Sequence, residues 1–391
     1  MLRLLLPALA LSLSACATVT MQREPVPVAA AATATVAGFG PEIRYWGDEA
    51  PPELAGDAEA NARAFAERNA ALIRAGKPVP MAFLVLSGGG ENGAFGAGLL
   101  NGWSQAGDRP TFQIVTGVST GAIIAPFAFL GEAYDDALHE AYTDIAPSDI
   151  YDRKLWANLL GGAALSDVTP LASMIERYID EDMLAAIAAE HATGRRLLVS
   201  TTNLDTGRPV IWDMGAIAAY GDDRALRLFR DVVRASASIP ALFPPVPISA
   251  AVDGEVYTEL HADGGVAANL FAYAPQVELG KLLADAPFET EVTVYVVRNG
   301  RSTPAYAETK PTWYGVAGRS VGLLLFHSAQ ASIAQTYHLA QRDGLNFRLA
   351  IFPDDFTDEP TEPFEQAYMR RLFGAAEAAA QEGYEWRRSP F

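Results

Sequence analysis

Short, fully apolar runs alternate with longer stretches of helical spacing through the middle of this chain. Residues 81–87 (MAFLVLS) form an unbroken apolar run that ends in glycines, and residues 111–118, 196–202 and 291–297 (EVTVYVV) have similar length and β-branched content. Runs of this kind, bounded by turn residues, read as strands buried on both faces. Residues 209–213 add a strand, separated from 196–202 by the turn Asp205-Thr206-Gly207. Between the strands, residues 95–103, 120–130 and 224–237 read as helices, and Asp167 reads as the N-cap of a helix running to about residue 192. Residues 310–341 read as a long helix, 347–352 as a strand and 362–381 as a last helix. Strand–helix alternation predicts a layered α/β domain. There is no internal repeat.

The N-terminal end follows a different pattern. Met1-Leu2-Arg3 is followed by an apolar run to Leu11. One positive charge before an apolar stretch too short to span a bilayer predicts an export signal over residues 1–15. Leu13-Ser14-Ala15-Cys16 looks like a bacterial lipobox, and Cys16 is the only cysteine. Cys16 is then the expected lipidated first residue of the mature protein. Each buried acyl methylene contributes about 0.8 kcal/mol, so anchoring by several chains is stable. With Ala17 after the cysteine, the expected location is the outer membrane, facing the periplasm. Residues 16–56, which include a stretch rich in Ala, Val, Thr and Pro, read as a flexible tether. Residues 57–80 read as a helical segment ended by Pro78 and Pro80. Residues 81–310 then form the core, and residues 311–391 a helical extension packed on it.

Charge narrows the function classes. There are 47 acidic against 29 basic residues, a formal net charge of −18. Nucleic acid is excluded as a partner, since phosphate binding needs a basic face. Broad electrostatic adhesion to anionic lipid is excluded in the same way. The exported body has no cysteine, hence no disulfide and no thiol nucleophile. No His/Cys/Asp cluster has ligand spacing, so no metal or cofactor is expected.

Candidate chemistry begins at Gly117-Val118-Ser119-Thr120-Gly121, directly after a strand and before a helix. A serine between two glycines at such a junction has the form of a nucleophile elbow, in which the turn is too tight for side chains two residues either side. The preceding strand also runs into glycines, Gly88-Gly89-Gly90-Glu91-Asn92-Gly93. Their amides, with the start of a helix just after, suit an anion or the oxyanion of acyl transfer. Gly88-x-Gly90-x-x-Gly93 also matches a dinucleotide fingerprint, but Asp108, at the right distance, sits in a turn before the next strand instead of at its end. The proton acceptor for Ser119 has several candidates. Asp263, in His261-Ala262-Asp263-Gly264-Gly265, has the flexibility for close approach; His261 shares its face if the segment is extended; His327 and His338 follow in helical stretches.

Taken together, Gly88-Gly89-Gly90-x-x-Gly93, Gly117-Val118-Ser119-Thr120-Gly121 and Asp263-Gly264-Gly265 resemble the patatin-like phospholipases, over residues 81 to about 300. Residues 202–207 (TNLDTG) and 235–245 (ASASIPALFPP) resemble that family too. The resemblance implies a three-layer α/β/α patatin-like fold around a mainly parallel sheet. It implies a Ser119–Asp263 dyad without a catalytic histidine, and an oxyanion hole from the amides of Gly88, Gly89 and Gly90. Family members usually carry arginine or lysine where Asn92 stands, and often aspartate where Ser87 stands. The function expected is a serine lipid acyl hydrolase acting on membrane phospholipid or lysophospholipid through an acyl-enzyme. Ile123, Ile124, Phe127, Phe129 and residues 239–243 are candidates for an acyl site, with core packing the reading for most of them. The alternatives are a catalytically idle lipid-binding envelope lipoprotein and an acyltransferase.

Overall fold

The computed structural model describes residues 23–50, 58–150, 169–240, 242–353 and 356–391. Cys16 and the expected signal, with residues 51–57 of the expected tether, lie outside them.

Among the described residues, ten strands form one sheet: β1 (Thr35–Val36), β2 (Arg44–Trp46), β3 (Val79–Leu86), β4 (Phe112–Gly117), β5 (Arg196–Asn203), β6 (Arg208–Asp213), β7 (Val246–Val252), β8 (Glu255–Asp263), β9 (Thr290–Val297) and β10 (Asn346–Ala350). The helices are α1 (Ala58–Arg68), α2 (Ala70–Arg74), α3 (Gly93–Ala106), α4 (Thr120–Leu130), α5 (Asp135–Thr143), α6 (Thr169–Tyr178), α7 (Glu181–Ala192), α8 (Met214–Ala218), α9 (Asp223–Ser236), α10 (Leu279–Ala284), α11 (Trp313–Arg342) and α12 (Gln366–Gln381).

The centre of the sheet is parallel, in the order β5-β4-β3-β9-β10. Its strands are buried on both faces, which is why they read as continuous apolar runs. Along β3, Ala82, Leu84 and Leu86 face one helical layer, together with Phe95, Leu99, Trp103 and Phe373. Phe83 and Val85 face the other, with Ile333 and Ala340 of α11. This is the three-layer α/β/α arrangement.

The flank beyond β5 is antiparallel, and there the sheet forks. The first half of β5 pairs in parallel with β4, Gly117 opposite Val199. Its second half pairs antiparallel with β8, Thr201 opposite Asp263. β6 pairs antiparallel with β5 from Leu198 to Asn203, on its other edge. Strands β4 and β8 therefore approach from opposite directions along β5, and their C-terminal tips meet near Ser200.

Three expectations need correction. Residues 23–50 are not a free tether. β1 pairs with β7, β2 pairs with β6, and Val36 and Ile43 are buried in the main core. The physical reason is edge coverage: β7 and β6 would otherwise present unpaired backbone. Strands of two or three residues are too short to show a period in the sequence. Next, the helix expected up to residue 192 is two helices. Asp180 is extended and its carboxylate caps α7 by accepting the N–H of Met183 at 2.8 Å; Asp167 lies outside the described residues. Lastly, residues 311–391 are not only a helical extension. β10 joins the central sheet beside β9. α12 packs so closely on α3 that a Cβ at Gly98 or Gly102 would meet the backbone of Phe373 or Glu377.

The N-terminal strands are tied down by charge. The Arg44 guanidinium on β2 pairs with the Glu259 carboxylate on β8, both nearly excluded from solvent. Burial alone would raise the pKa of Glu259, but hydrogen bonds from His261 and Arg44 hold it at about 2. Breaking a buried pair by removing one partner leaves the other uncompensated. Arg44→Met is therefore expected to destabilise the fold by about 3 kcal/mol, and Glu259→Gln added to it to recover most of that loss. Because Glu259 is held below its ordinary 4.5, the pair's contribution is complete above about pH 5 and fades as pH falls toward 2. Urea unfolding of both variants across that range measures it.

Candidate active site

The elbow forms where β4 gives way to α4. Ser119 has φ 56° and ψ −125°, a left-handed conformation in which a non-glycine side chain is strained. Two close approaches hold it there. A Cβ at Gly117 would run into the carbonyl of Gly121, and one at Gly121 into the carbonyl of Leu86. The Ser119 amide donates to Ser236 Oγ at 2.9 Å, and Ser236 Oγ donates to the Ser200 carbonyl at 2.7 Å. Ser236 thus links the strained turn to the strand at the fork. It lies in the stretch 235–245, but only its position at the end of α9 reveals this role.

Asp263 is the last residue of β8. Its main chain is fixed on both sides: its N–H donates to Ser238 at 3.0 Å and its carbonyl accepts from Thr202 Oγ1 at 3.0 Å. Its carboxylate accepts the Gly265 amide at 2.7 Å and lies near enough to the Ser119 hydroxyl for that hydroxyl to favour its ionised form. Gly264 lies against the Ser200 carbonyl, where a side chain would not fit. Ser119 and Asp263 are 4% and 1% exposed. Burial raises the pKa of Asp263 from 3.8 to about 6, although the Ser119 hydroxyl and the Gly265 amide pull it down.

The glycine loop is held from behind. Ser87 Oγ accepts the Asn299 amide at 2.8 Å and donates to the Gly88 carbonyl at 2.8 Å. Asn299 Nδ2 donates to the Ser87 carbonyl at 2.8 Å, and Asn299 Oδ1 accepts the Gly96 amide at 3.1 Å. Gly93 packs against Thr120 at the start of α4. Of the three amides expected as oxyanion donors, one is already bonded within the fold. The Gly88 N–H donates to the Asn269 carbonyl at 3.1 Å. The N–H groups of Gly89 and Gly90 have no acceptor among the described residues.

These groups open on one cavity of about 450 Å³, which contains Ser119, Asp263 and residues 88–92 in its wall. Ile239 and Leu242 line it, whereas Ile124, Phe127, Phe129 and Phe243 belong to the main core and Ile123 packs against that core. The far wall comes from the C-terminal part: Leu325 and Phe326 of α11, Phe352, and Tyr368 of α12. No motif in the sequence announced that contribution. Asn92, also in the wall, accepts a hydrogen bond from Tyr368 at 2.7 Å.

The histidines are elsewhere. His261 is buried, with Nδ1 2.9 Å from Thr201 Oγ1 and Nε2 3.1 Å from Glu259. Trp212 Nε1 donates to the same Thr201 oxygen at 2.8 Å. Burial pushes the imidazole pKa down despite the Glu259 carboxylate. His261 thus supports the carboxylate that holds Arg44 and does not line the cavity. His327 and His338 lie on the exposed side of α11, outside it.

Residues 84–275 match the family described as patatin-like phospholipase. These residues form a patatin-like phospholipase domain. The family supports lipid hydrolysis as the chemistry. No curated protein matches the chain. Among solved structures, the chain is similar to VipD from Legionella pneumophila, with 12% identity over 79% of this chain and 68% of that one and a TM-score of 0.38. It is also similar to human GIVD cytosolic phospholipase A2, with 11% identity over 84% of this chain and 58% of that one and a TM-score of 0.37. The patatin-like domain starts within β3 and ends after β8, so it includes the fork, Ser119 and Asp263 but neither β9 nor β10.

The raised pKa of Asp263 has a consequence for stability. A carboxyl whose folded-state value lies above its unfolded value opposes folding once both states ionise. The cost is absent below about pH 4 and complete above about pH 6. Asp263→Asn is therefore expected to stabilise the protein by about 2–3 kcal/mol at pH 7–8. The gain should vanish below about pH 4, as measured by denaturant unfolding across that range.

Proposed function

We propose that this protein is a serine acyl hydrolase of membrane phospholipid or lysophospholipid, working through Ser119 and Asp263. The observation that supports it is a strained, buried serine that shares one cavity wall with a carboxylate whose pKa burial has raised to about 6 and which that serine's hydroxyl helps to ionise.

Ser119 Oγ attacks the ester carbonyl carbon while its proton passes to Asp263. The tetrahedral oxyanion is met by the free amides of Gly89 and Gly90 and by the positive end of α4. One such donor lowers the barrier by about 3 kcal/mol. The intermediate collapses by breaking the bond to the leaving alcohol, which takes the proton back from Asp263. Water gives a proton to Asp263 as it attacks the acyl-Ser119 ester; the acyl–Oγ bond then breaks, Asp263 returns the proton to Ser119 Oγ, and the fatty acid leaves. An ordinary aspartate is a poor base for an alcohol; a value near 6 narrows that gap. Acyl transfer to an alcohol would use the same steps, and product analysis with a competing acceptor distinguishes it. A purely binding role gives no reason to keep an ionised carboxylate dry beside a strained hydroxyl, since both oppose folding.

The reading extends to the N-terminus: Cys16 is lipidated and holds the enzyme at the outer membrane, facing the periplasm, close to its substrate. Cys16→Ser is expected to move the protein from the membrane fraction to the soluble fraction. Retention in the membrane would count against the anchor, and density-gradient separation of the two membranes tests the location.

Ser119→Ala should abolish ester hydrolysis and labelling by a fluorophosphonate probe. For the wild type, kcat/KM should rise with pH through an apparent pKa of about 6 and then level off, since Asp263 acts ionised. His327→Ala and His338→Ala should keep nearly full activity; collapse in either would favour a histidine triad.

A further inference from the structure

One cation in the cavity wall has no role in the chemistry above. Arg298 directly follows β9 and is 3% exposed. Its main-chain N–H donates to the Ala350 carbonyl at 2.9 Å, which fixes the start of the side chain. Among the described residues the guanidinium has no ion-pair or hydrogen-bond partner. Nε and Nη1 are buried with no acceptor among the described residues. The guanidinium carbon lies 4.7 Å from the ring centre of Phe326, another wall residue. Desolvation lowers its pKa to about 10.

This is unlike the other arginines drawn into the interior. Arg195, also buried, donates to the carbonyls of Phe112 and Phe129 and pairs with Glu190. Arg44 has Glu259. Nor do Glu359 and Glu91, two acids of the cavity wall, neutralise Arg298. Glu359 pairs with Arg301 at 3.1 Å, and burial raises the pKa of Glu91, favouring its uncharged form. A dry guanidinium without a partner opposes folding, and a planar fork of N–H donors matches a phosphate.

We propose that Arg298 is the headgroup-recognition residue of this cavity, taking the phosphate oxygens of a glycerophospholipid so that phosphate-bearing acyl esters are preferred to uncharged ones. The cation directly follows β9, outside residues 84–275, and is not part of the glycine loop, where position 92 is an asparagine bonded to Tyr368. In its kinetic part this inference rests on the hydrolase reading; in its binding part it does not.

The test uses the full-length protein with Ser119→Ala, so that ligands bind without turnover. Dihexanoyl phosphatidic acid and dihexanoylglycerol, each below its aggregation concentration, are titrated by calorimetry with and without Arg298→Gln. Phosphatidic acid should bind at least tenfold more weakly when Arg298 is replaced, with a much smaller change for dihexanoylglycerol. Arg298→Lys should fall between. With Ser119 intact, the ratio of kcat/KM for phosphatidic acid over the uncharged ester should drop at least tenfold in Arg298→Gln. Arg298→Gln and Arg298→Met should unfold at or above the wild-type temperature, because an unpaired buried charge is removed. Equal weakening of both ligands, no weakening of either, or a melting point several degrees lower in both variants would overturn the assignment. If the wild type hydrolyses neither ester yet phosphatidic acid still binds through Arg298, the hydrolase reading fails and the phosphate site stands.

Discussion

One edge of β5 is shared by two strands that arrive from opposite directions, and Ser119 and Asp263 come together because of that register. β4 ends opposite Val199 and β8 ends opposite Thr201. Only Ser200 separates the two, and its carbonyl is also where Ser236 anchors the elbow and where Gly264 packs. A one-residue slip of β8 would turn Asp263 to the other face of the sheet. The distance between hydroxyl and carboxylate is thus set by backbone hydrogen bonds, which are far less adjustable than side-chain rotamers.

Around this junction the fold tolerates several costs together. Ser119 is held in a strained backbone conformation, Asp263 is kept dry, and Arg298 is buried without a hydrogen-bond partner among the described residues. Each opposes folding, and the large core on both faces of the sheet offsets them. The Arg44–Glu259–His261–Thr201–Trp212 chain shows how the same flank treats polar groups outside the cavity. There every carboxylate and ring nitrogen has a partner. The contrast separates groups that hold the sheet from groups left open to a ligand.

Much of the site is legible in the sequence because close backbone approach demands glycine. Gly117, Gly121 and Gly264 stand where a side chain would strike a carbonyl, and such positions read directly as motif. The parallel strands are legible because burial on both faces makes them uniformly apolar. Other features are hidden for physical reasons. That the Gly88 amide is bonded to Asn269 depends on a contact across 181 residues. Ser236 looks like any helix-end serine. The β7–β8 hairpin had a local signal, Asp253-Gly254 with positive φ at both residues (50° and 87°), between alternating strands. Arg298 is a single basic residue after a buried strand, and nothing in its neighbours tells that its charge is unpaired.

The N-terminal strands give the antiparallel flank a further property. β1 lies on β7, at the end of one arm of the fork, and β2 lies on β6, at the end of the other. A single stretch of chain therefore joins both arms from outside, and Arg44 bridges from that stretch back to β8. Topologically, the fork is a closed circuit, and the stretch 84–275 is an arc of it whose closing segment lies upstream. A load applied to the chain from its N-terminal side reaches this clasp before it reaches the central strands. Residues 23–50 thus bear mechanically on the strand that presents Asp263, with no contact to the cavity itself.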